Sequence, residues 1–336
     1  MLHAARSSDS LRIVDALAPI ASYGFAFQAM SSVCEIRLDA APGQCEPALA
    51  AAAREAIDEV HRIELKYSRY RDDSIVSRIN AAAGHDESIE VDAETAALLD
   101  FAGELHAWSE GLFDITSGVL RRAWNFRAAR VPEPAALDAL LPLIGWQQVE
   151  WSRAAAAGRR VRLPRAGMEI DFGGFGKEYA ADRAFAVLAA AGQRHGFVNL
   201  GGDIRVLGAR VDGSAWHFGI QHPRRAEGTI ASVDMREGAL ASSGDYERFF
   251  EHGGRRYCHI LDPRTGWPVS TWASVSVTAP ACVAAGALST IAMLKGERAL
   301  DFLATQQATY LAVDTALHTF HHGLPEADRF EFGETQ

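Results

Sequence analysis

The sequence predicts an α+β fold, mainly antiparallel sheets flanked by helices, in one continuous domain. Three observations predict it. Two stretches before residue 110 carry apolar residues at helical spacing. After residue 195, short apolar runs follow one another with glycine-rich or polar turns between them. No linker, charge block or internal repeat divides the 336 residues.

In chain order, residues 1–24 read as a loosely ordered leader and 25–332 as the domain. Residues 25–38 read as a strand of mixed alternation. Residues 47–67 form a helix, because Ile57, Val60, Ile63 and Tyr67 recur at helical spacing among alanines. A polar loop, Ser-Arg-Tyr-Arg-Asp-Asp-Ser, then ends near Asn80. Asp92 caps a second helix whose stripe is Leu98, Phe101, Leu105 and Trp108, and Gly111 stops it. Residues 112–126 mix Asp, Thr, Ser and Gly, which suggests a functional loop. Residues 127–167 hold one short helix near 134–141 and a hairpin.

A helix opens at Lys177 and runs to about Ala191. Strands 197–200 and 204–207 bracket Gly201-Gly202-Asp203. Runs 216–220, 229–234 and 239–242 continue an antiparallel pattern. Residues 244–250 and 257–266 form a hairpin across a His-Gly-Gly turn. A strand over 273–279 leads into a helix through Thr290 to about Leu294, and 310–313 with 317–320 close as a hairpin.

Composition narrows the function. Hydrophobic residues make up 48% and charged residues 23%, an ordinary globular balance. A net charge of −10 argues against a nucleic-acid binder working through a phosphate-neutralising face. Cys34, Cys45, Cys258 and Cys282 have no metal-like spacing and read as free thiols of a reducing compartment. Arg12, Asp15 and Pro19 interrupt the apolar stretch 11–34, so neither an export signal nor a membrane span is read there, and the expected location is cytoplasmic.

The most informative stretch is 169–183, Glu-Ile-Asp-Phe-Gly-Gly-Phe-Gly-Lys-Glu-Tyr-Ala-Ala-Asp-Arg. A short apolar run reaches Asp171; a bend with Gly173, Gly174 and Gly176 follows; then come Lys177 and a helix. Glycines allow close backbone approach to a ligand, a helix N-terminus favours anions, and the lysine adds a positive charge. The layout suits a phosphorylated nucleotide, although a plain strand-to-helix turn would use the same glycines. His259 lies upstream of Asp262-Pro263-Arg264-Thr265-Gly266, whose Asp, Pro and Gly a type I turn alone would explain. An imidazole there permits base chemistry near neutrality. His318, His321 and His322 read as surface strand residues, and Trp124 as either core or stacking platform.

Taken together, these segments resemble the FAD:protein FMN transferases, the ApbE family. Eight blocks stand in family order: Ala-Met-Ser-Ser, Tyr-Ser-Arg-Tyr-Arg-Asp-Asp-Ser, Leu-Phe-Asp-Ile-Thr-Ser-Gly, Ile-Asp-Phe-Gly-Gly-Phe-Gly-Lys-Glu-Tyr-Ala, Val-Asn-Leu-Gly-Gly-Asp-Ile-Arg, Ser-Ser-Gly-Asp-Tyr, His-Ile-Leu-Asp-Pro-Arg-Thr-Gly and Ala-Gly-Ala-Leu-Ser-Thr. They run from about Met30 to about Gly296. The resemblance implies a single domain of that family's fold that moves FMN from FAD to a serine or threonine hydroxyl of an acceptor flavoprotein, releasing AMP with the help of Mg²⁺. It implies that Met30, Tyr70, Leu112, Phe113 and Asp114 line the flavin nucleotide site. Asp171 and Lys177 contact FAD, Leu261 lies against the flavin, and His259 is the general base. For the metal, Gly174 gives a carbonyl and Thr290 a hydroxyl.

One block departs from the family. Members usually read Ala-Asp-Ala-Leu-x-Thr, with the Asp a metal ligand; here the segment is Ala285-Gly286-Ala287-Leu288-Ser289-Thr290. Met-Ser-Ser likewise stands where Met-Gly-Thr is usual. Three readings follow. Another acid, or Ser289 with FAD phosphates, completes a weaker metal site. The protein transfers FMN with a different ion balance. Or it binds FAD without transfer, as an accessory protein. An FAD pyrophosphatase using water as acceptor is a further alternative.

Overall fold

Side chains alternate between two faces along the strands of the main sheet, and both faces are covered. The computed structural model describes residues 11–13, 20–152, 158–323 and 331–332. Among these, nine strands form the main sheet in the spatial order Leu11–Ile13, Ser22–Ala29, Ser32–Asp39, Gly196–Leu200, Asp203–Gly208, Gly238–Gly244, Trp272–Ala279, Thr309–Asp314 and Thr319–His322. Every neighbouring pair is antiparallel.

Val198, Leu200, Tyr310 and Ala312 face the main core, where the helices Glu46–Tyr67, Gly176–Ala190 and Cys282–Lys295 bury Leu49, Val60, Ala180 and Ile291. Phe197, Ile204, Val206, Leu311 and Val313 face the other way, onto Trp216, Phe218 and Val233. Those three belong to a small sheet of Trp216–Gln221, Thr229–Met235 and Glu331–Phe332. Each fully buried apolar side chain of this kind contributes about 1.5–3 kcal/mol. The expected α+β architecture is therefore present, with helices on one side and a second antiparallel sheet on the other.

Local signals explain the helix starts. Asp92 accepts the Thr95 N–H at 2.9 Å and caps Ala93–Trp108. Ser74 accepts the Ser77 N–H at 3.0 Å and caps Ile75–Ala81, a helix where the sequence suggested only a polar loop. The single strand expected over 25–38 is instead a hairpin, Ser22–Ala29 with Ser32–Asp39. Its two-residue turn is Met30 and Ser31, both left-handed at φ 52° and 63°. Such turns usually carry Asn-Gly, which is why the sequence hides this one. Glu64 supports the turn by accepting the Met30 N–H at 2.7 Å.

Other expectations divide. Residues 112–126 are not a loop throughout, because Ile115–Arg122 is a 3₁₀ helix. Within 127–167 the helix is Pro134–Leu140 and the hairpin pairs Glu150–Trp151 with Arg159–Arg162, with Ile89–Val91 on its far side. Phe249–His252 and Arg255–Cys258 pair around Gly253 and Gly254, as the His-Gly-Gly turn suggests. Leu11–Ile13 is a strand, and the rest of 1–19 lies outside the described residues. All four cysteines are free thiols. His318 pairs with Asp314 at 2.9 Å on an exposed strand end. Among the described residues, no helix is long and apolar enough to cross a membrane.

Trp124 is core. It is 2% exposed and its indole N–H donates to the Gly266 carbonyl at 2.7 Å. The rings of Phe126, Phe250, Tyr257 and Trp267 surround it at 5.5–6.3 Å. This cluster fastens the Asp262–Gly266 turn to the 3₁₀ helix, and so sets where His259 and Leu261 lie.

Candidate functional site

The glycine bend turns the chain from Asp171 into the helix Gly176–Ala190, with Lys177 in the first turn. The N–H groups of Phe175 and Gly176 both return to the Phe172 carbonyl, at 3.1 and 2.7 Å. A side chain on Gly174 would start 2.8 Å from the Phe113 ring, so the close approach requires glycine. Lys177 Nζ lies 2.8 Å from Asp203 Oδ2 and donates to the Gly201 carbonyl at 3.3 Å. Burial works against the ammonium, but Asp203 outweighs it and the Lys177 pKa is raised. Lys177 is therefore positive at neutral pH.

Gly201 is left-handed at φ 62°, and a Cβ on it would stand 2.7 Å from Ser32. The hairpin tip carrying Met30 thus docks beside the Gly201–Gly202 turn and Lys177. Met30 itself is half-buried against the main core.

His259 follows the strand Arg255–Cys258, its N–H donating to the Arg248 carbonyl at 3.0 Å. The residue keeps an exposed surface, yet protein surrounds its ring on the remaining sides. Burial first, then the charges of Arg248 and Lys177, push its pKa down to about 4. The ring is neutral at physiological pH and has a free lone pair for a proton. Burial and then the charges of Glu247 and Asp203 raise the Tyr246 pKa. Gly244 makes room for that ring, since a Cβ there would lie 2.3 Å from it.

Across from Lys177, the helix Cys282–Lys295 starts on Asp182, which accepts the N–H groups of Cys282 and Val283 at 2.9 and 3.0 Å. Three hydroxyls meet where this helix touches the strand Gly238–Gly244. Ser243 Oγ is 2.8 Å from Ser289 Oγ and 2.9 Å from Thr290 Oγ1, and Ser289 donates to the Gly286 carbonyl at 3.0 Å. Gly286 faces Glu178, the residue after Lys177. Among the described residues, no three His, Cys, Asp or Glu side chains converge as a metal cluster. The donors present are hydroxyl and carboxylate oxygens, which suit a hard cation.

The other expected residues form two adjoining groups. Asp171 pairs with Arg69 and accepts the Gly173 N–H at 3.0 Å, while Arg69 also donates to the Tyr70 hydroxyl at 2.9 Å. Tyr70 is 76% exposed, with the Arg69 guanidinium over its ring at 5.0 Å from the centroid. Gly118 lets Asp171 sit close, because a Cβ there would be 2.8 Å from the Asp171 Cβ. Leu112 and Phe113 are buried in the main core, so they shape the bend from beneath. Asp114 caps the 3₁₀ helix: Oδ1 takes the Thr116 N–H at 2.8 Å and its hydroxyl at 2.6 Å, and Oδ2 takes the Trp146 N–H at 2.8 Å. It also borders a concavity of about 580 Å³ with His106, Glu110 and Arg264. Leu261 packs on the Trp124 cluster.

Arg69, Glu178, Asp203 and Ser243 were not foreseen as site residues. Asp203 had a signal in Gly-Gly-Asp between two short strands, and Ser243 stood in the Ser-Ser-Gly-Asp-Tyr block. Glu178 had only its neighbour Lys177.

The model of the ApbE family matches residues 30–313. An FAD:protein FMN transferase of Treponema pallidum is 33% identical over 293 residues, 83% of this chain and 80% of that protein. One from Rhodobacter capsulatus is 36% identical over 229 residues, 68% of this chain but 43% of that longer protein. The crystal structure of the ApbE protein from Thermotoga maritima superposes with a TM-score of 0.81 at 30% identity, covering 89% of this chain and 96% of that one.

Proposed function

The chain belongs to the ApbE family, and on that premise we propose that it is an FAD:protein FMN transferase, moving FMN from FAD to a serine or threonine hydroxyl of an acceptor flavoprotein and releasing AMP. The observation that supports this reading is a positive Lys177 opening the helix after the glycine bend, its charge also acting on a neutral His259. The acceptor oxygen attacks the phosphorus of the FMN half. The bond from that phosphorus to the bridging oxygen breaks, and AMP leaves with the electron pair. His259 takes the hydroxyl proton.

Lys177 has three N–H donors, of which Asp203 and Gly201 engage two. The third is available to the diphosphate, where fixed positive charge stabilises the departing phosphate. Asp171, held by Arg69 and the Gly173 N–H, and Tyr70, Met30 and Leu261 are the residues we assign to the walls of the FAD site. Leu112, Phe113 and Asp114 support them. For Mg²⁺ the candidate oxygens are the Gly174 carbonyl and the Ser289 and Thr290 hydroxyls. Bound there, the ion would neutralise charge building on the phosphates. Gly286 lends no side chain.

Four free thiols support a reducing, cytoplasmic setting. The test is incubation with FAD, Mg²⁺ and an acceptor bearing a candidate Ser/Thr segment, reading in-gel flavin fluorescence and AMP. A fluorescent adduct with equimolar AMP is expected. FMN and AMP without adduct would instead identify a pyrophosphatase, and bound FAD without products an accessory protein.

A further inference from the structure

Gly286 is buried in the helix Cys282–Lys295, and the room a side chain would need is already occupied. A Cβ built on it would stand 2.4 Å from Glu178 Oε1, 2.6 Å from its Cγ and 2.8 Å from its Cδ. The carboxylate of one helix therefore fills the side-chain space of the next. It arrives on the same helical turn as Ser289, whose hydroxyl bonds the Gly286 carbonyl and adjoins Ser243 and Thr290.

We propose that Glu178 supplies the carboxylate of a divalent-cation site completed by the hydroxyls of Ser289 and Thr290, and that Gly286 is the opening that admits it. The inference rests on the transferase reading, and it deepens it by naming the anionic ligand.

Two further facts support it. Glu178 is 9% exposed, and no hydrogen bond or salt bridge from another described residue reaches its carboxylate. Lys177, whose charge acts on Glu178, makes its hydrogen bonds to Asp203 and the Gly201 carbonyl instead. One ammonium thus faces two buried carboxylates, Asp203 and Glu178. An all-oxygen set with one carboxylate is the chemistry of Mg²⁺ or Mn²⁺, and such ions complete their shell with water or substrate phosphates.

The experiment uses the full chain and Mn²⁺ as probe, with free Mn²⁺ read by electron paramagnetic resonance with and without FAD. FAD affinity is read separately by flavin fluorescence quenching, and folding by thermal melting. Glu178→Gln, which is nearly isosteric, should weaken Mn²⁺ by about tenfold or more while metal-free FAD affinity holds. Gly286→Asp alone should not tighten Mn²⁺, because its side chain meets Glu178. The exchange Glu178→Gly with Gly286→Asp should restore Mn²⁺ binding relative to Glu178→Gly alone. Wild-type Mn²⁺ affinity in folded Glu178→Gln, or no Mn²⁺ binding by the unaltered chain, would overturn the proposal and leave FAD binding standing. Loss of FAD binding by the unaltered chain would instead remove the transferase reading.

Discussion

Asp114→Ala is expected to damage the fold rather than the chemistry. The carboxylate caps the 3₁₀ helix Ile115–Arg122 through the Thr116 N–H, holds the Thr116 hydroxyl, and reaches across to the Trp146 N–H. Loss of an N-cap costs about 1 kcal/mol. Leaving the partly buried Trp146 N–H without an acceptor adds roughly 1–2 kcal/mol. The Thr116 hydroxyl still accepts from the Gly145 N–H at 2.7 Å, so its loss is partial. The sum is about 3 kcal/mol, which at roughly 2 °C per kcal/mol for a chain of this size lowers Tm by about 6 °C. Differential scanning fluorimetry without ligand measures the first quantity. FAD titration well below the new Tm measures the second, and should change less than about threefold, since both oxygens of Asp114 are engaged within the protein. An unchanged Tm together with lost FAD affinity would refute this reasoning and make Asp114 a direct ligand.

Other consequences follow from the same geometry. Lys177→Met should lower kcat by about 10²–10³-fold, the usual loss on deleting a group that stabilises developing charge, with AMP release as readout. A fall confined to KM would show that Lys177 only binds. His259 has its pKa depressed to about 4, so its neutral form persists as pH drops below the ordinary imidazole range. The acid limb belonging to His259 should lie near pH 4, and it should be absent from the residual activity of His259→Gln. An imidazole-controlled limb near 6.5 would contradict this. Gly118→Ala pushes on the Asp171 Cβ from 2.8 Å and should weaken FAD binding by about tenfold or more while Lys177 and His259 stay in place. Unaltered affinity by fluorescence quenching would mean Asp171 does not touch the dinucleotide.

Much of the architecture is legible in the chain because burial repeats. Ile57, Val60 and Ile63 mark one helix, and Asp92 signals the start of the next through a cap that forms as expected. The Met30–Ser31 turn is illegible for a definite reason: two side-chain-bearing residues occupy left-handed backbone that tertiary support from Glu64 makes tolerable. The helix Ile75–Ala81 is too short for its two buried residues, Val76 and Ile79, to establish a period. Within the site, Lys177 and His259 stand out by residue type and context. Glu178 does not, because its significance depends on a neighbour more than a hundred residues away having no side chain.

Ser243 joins both Ser289 and Thr290; Ser289 commits its hydrogen to the Gly286 carbonyl, while Ser243 and Thr290 share a bond in which either can donate. An arriving positive charge could therefore be met by swivelling protons alone, with oxygen atoms, helix and strand staying where they are. Departure would reverse the same rotation. Loading and unloading would then cost little reorganisation, a useful property for an enzyme that must part with its product after every cycle.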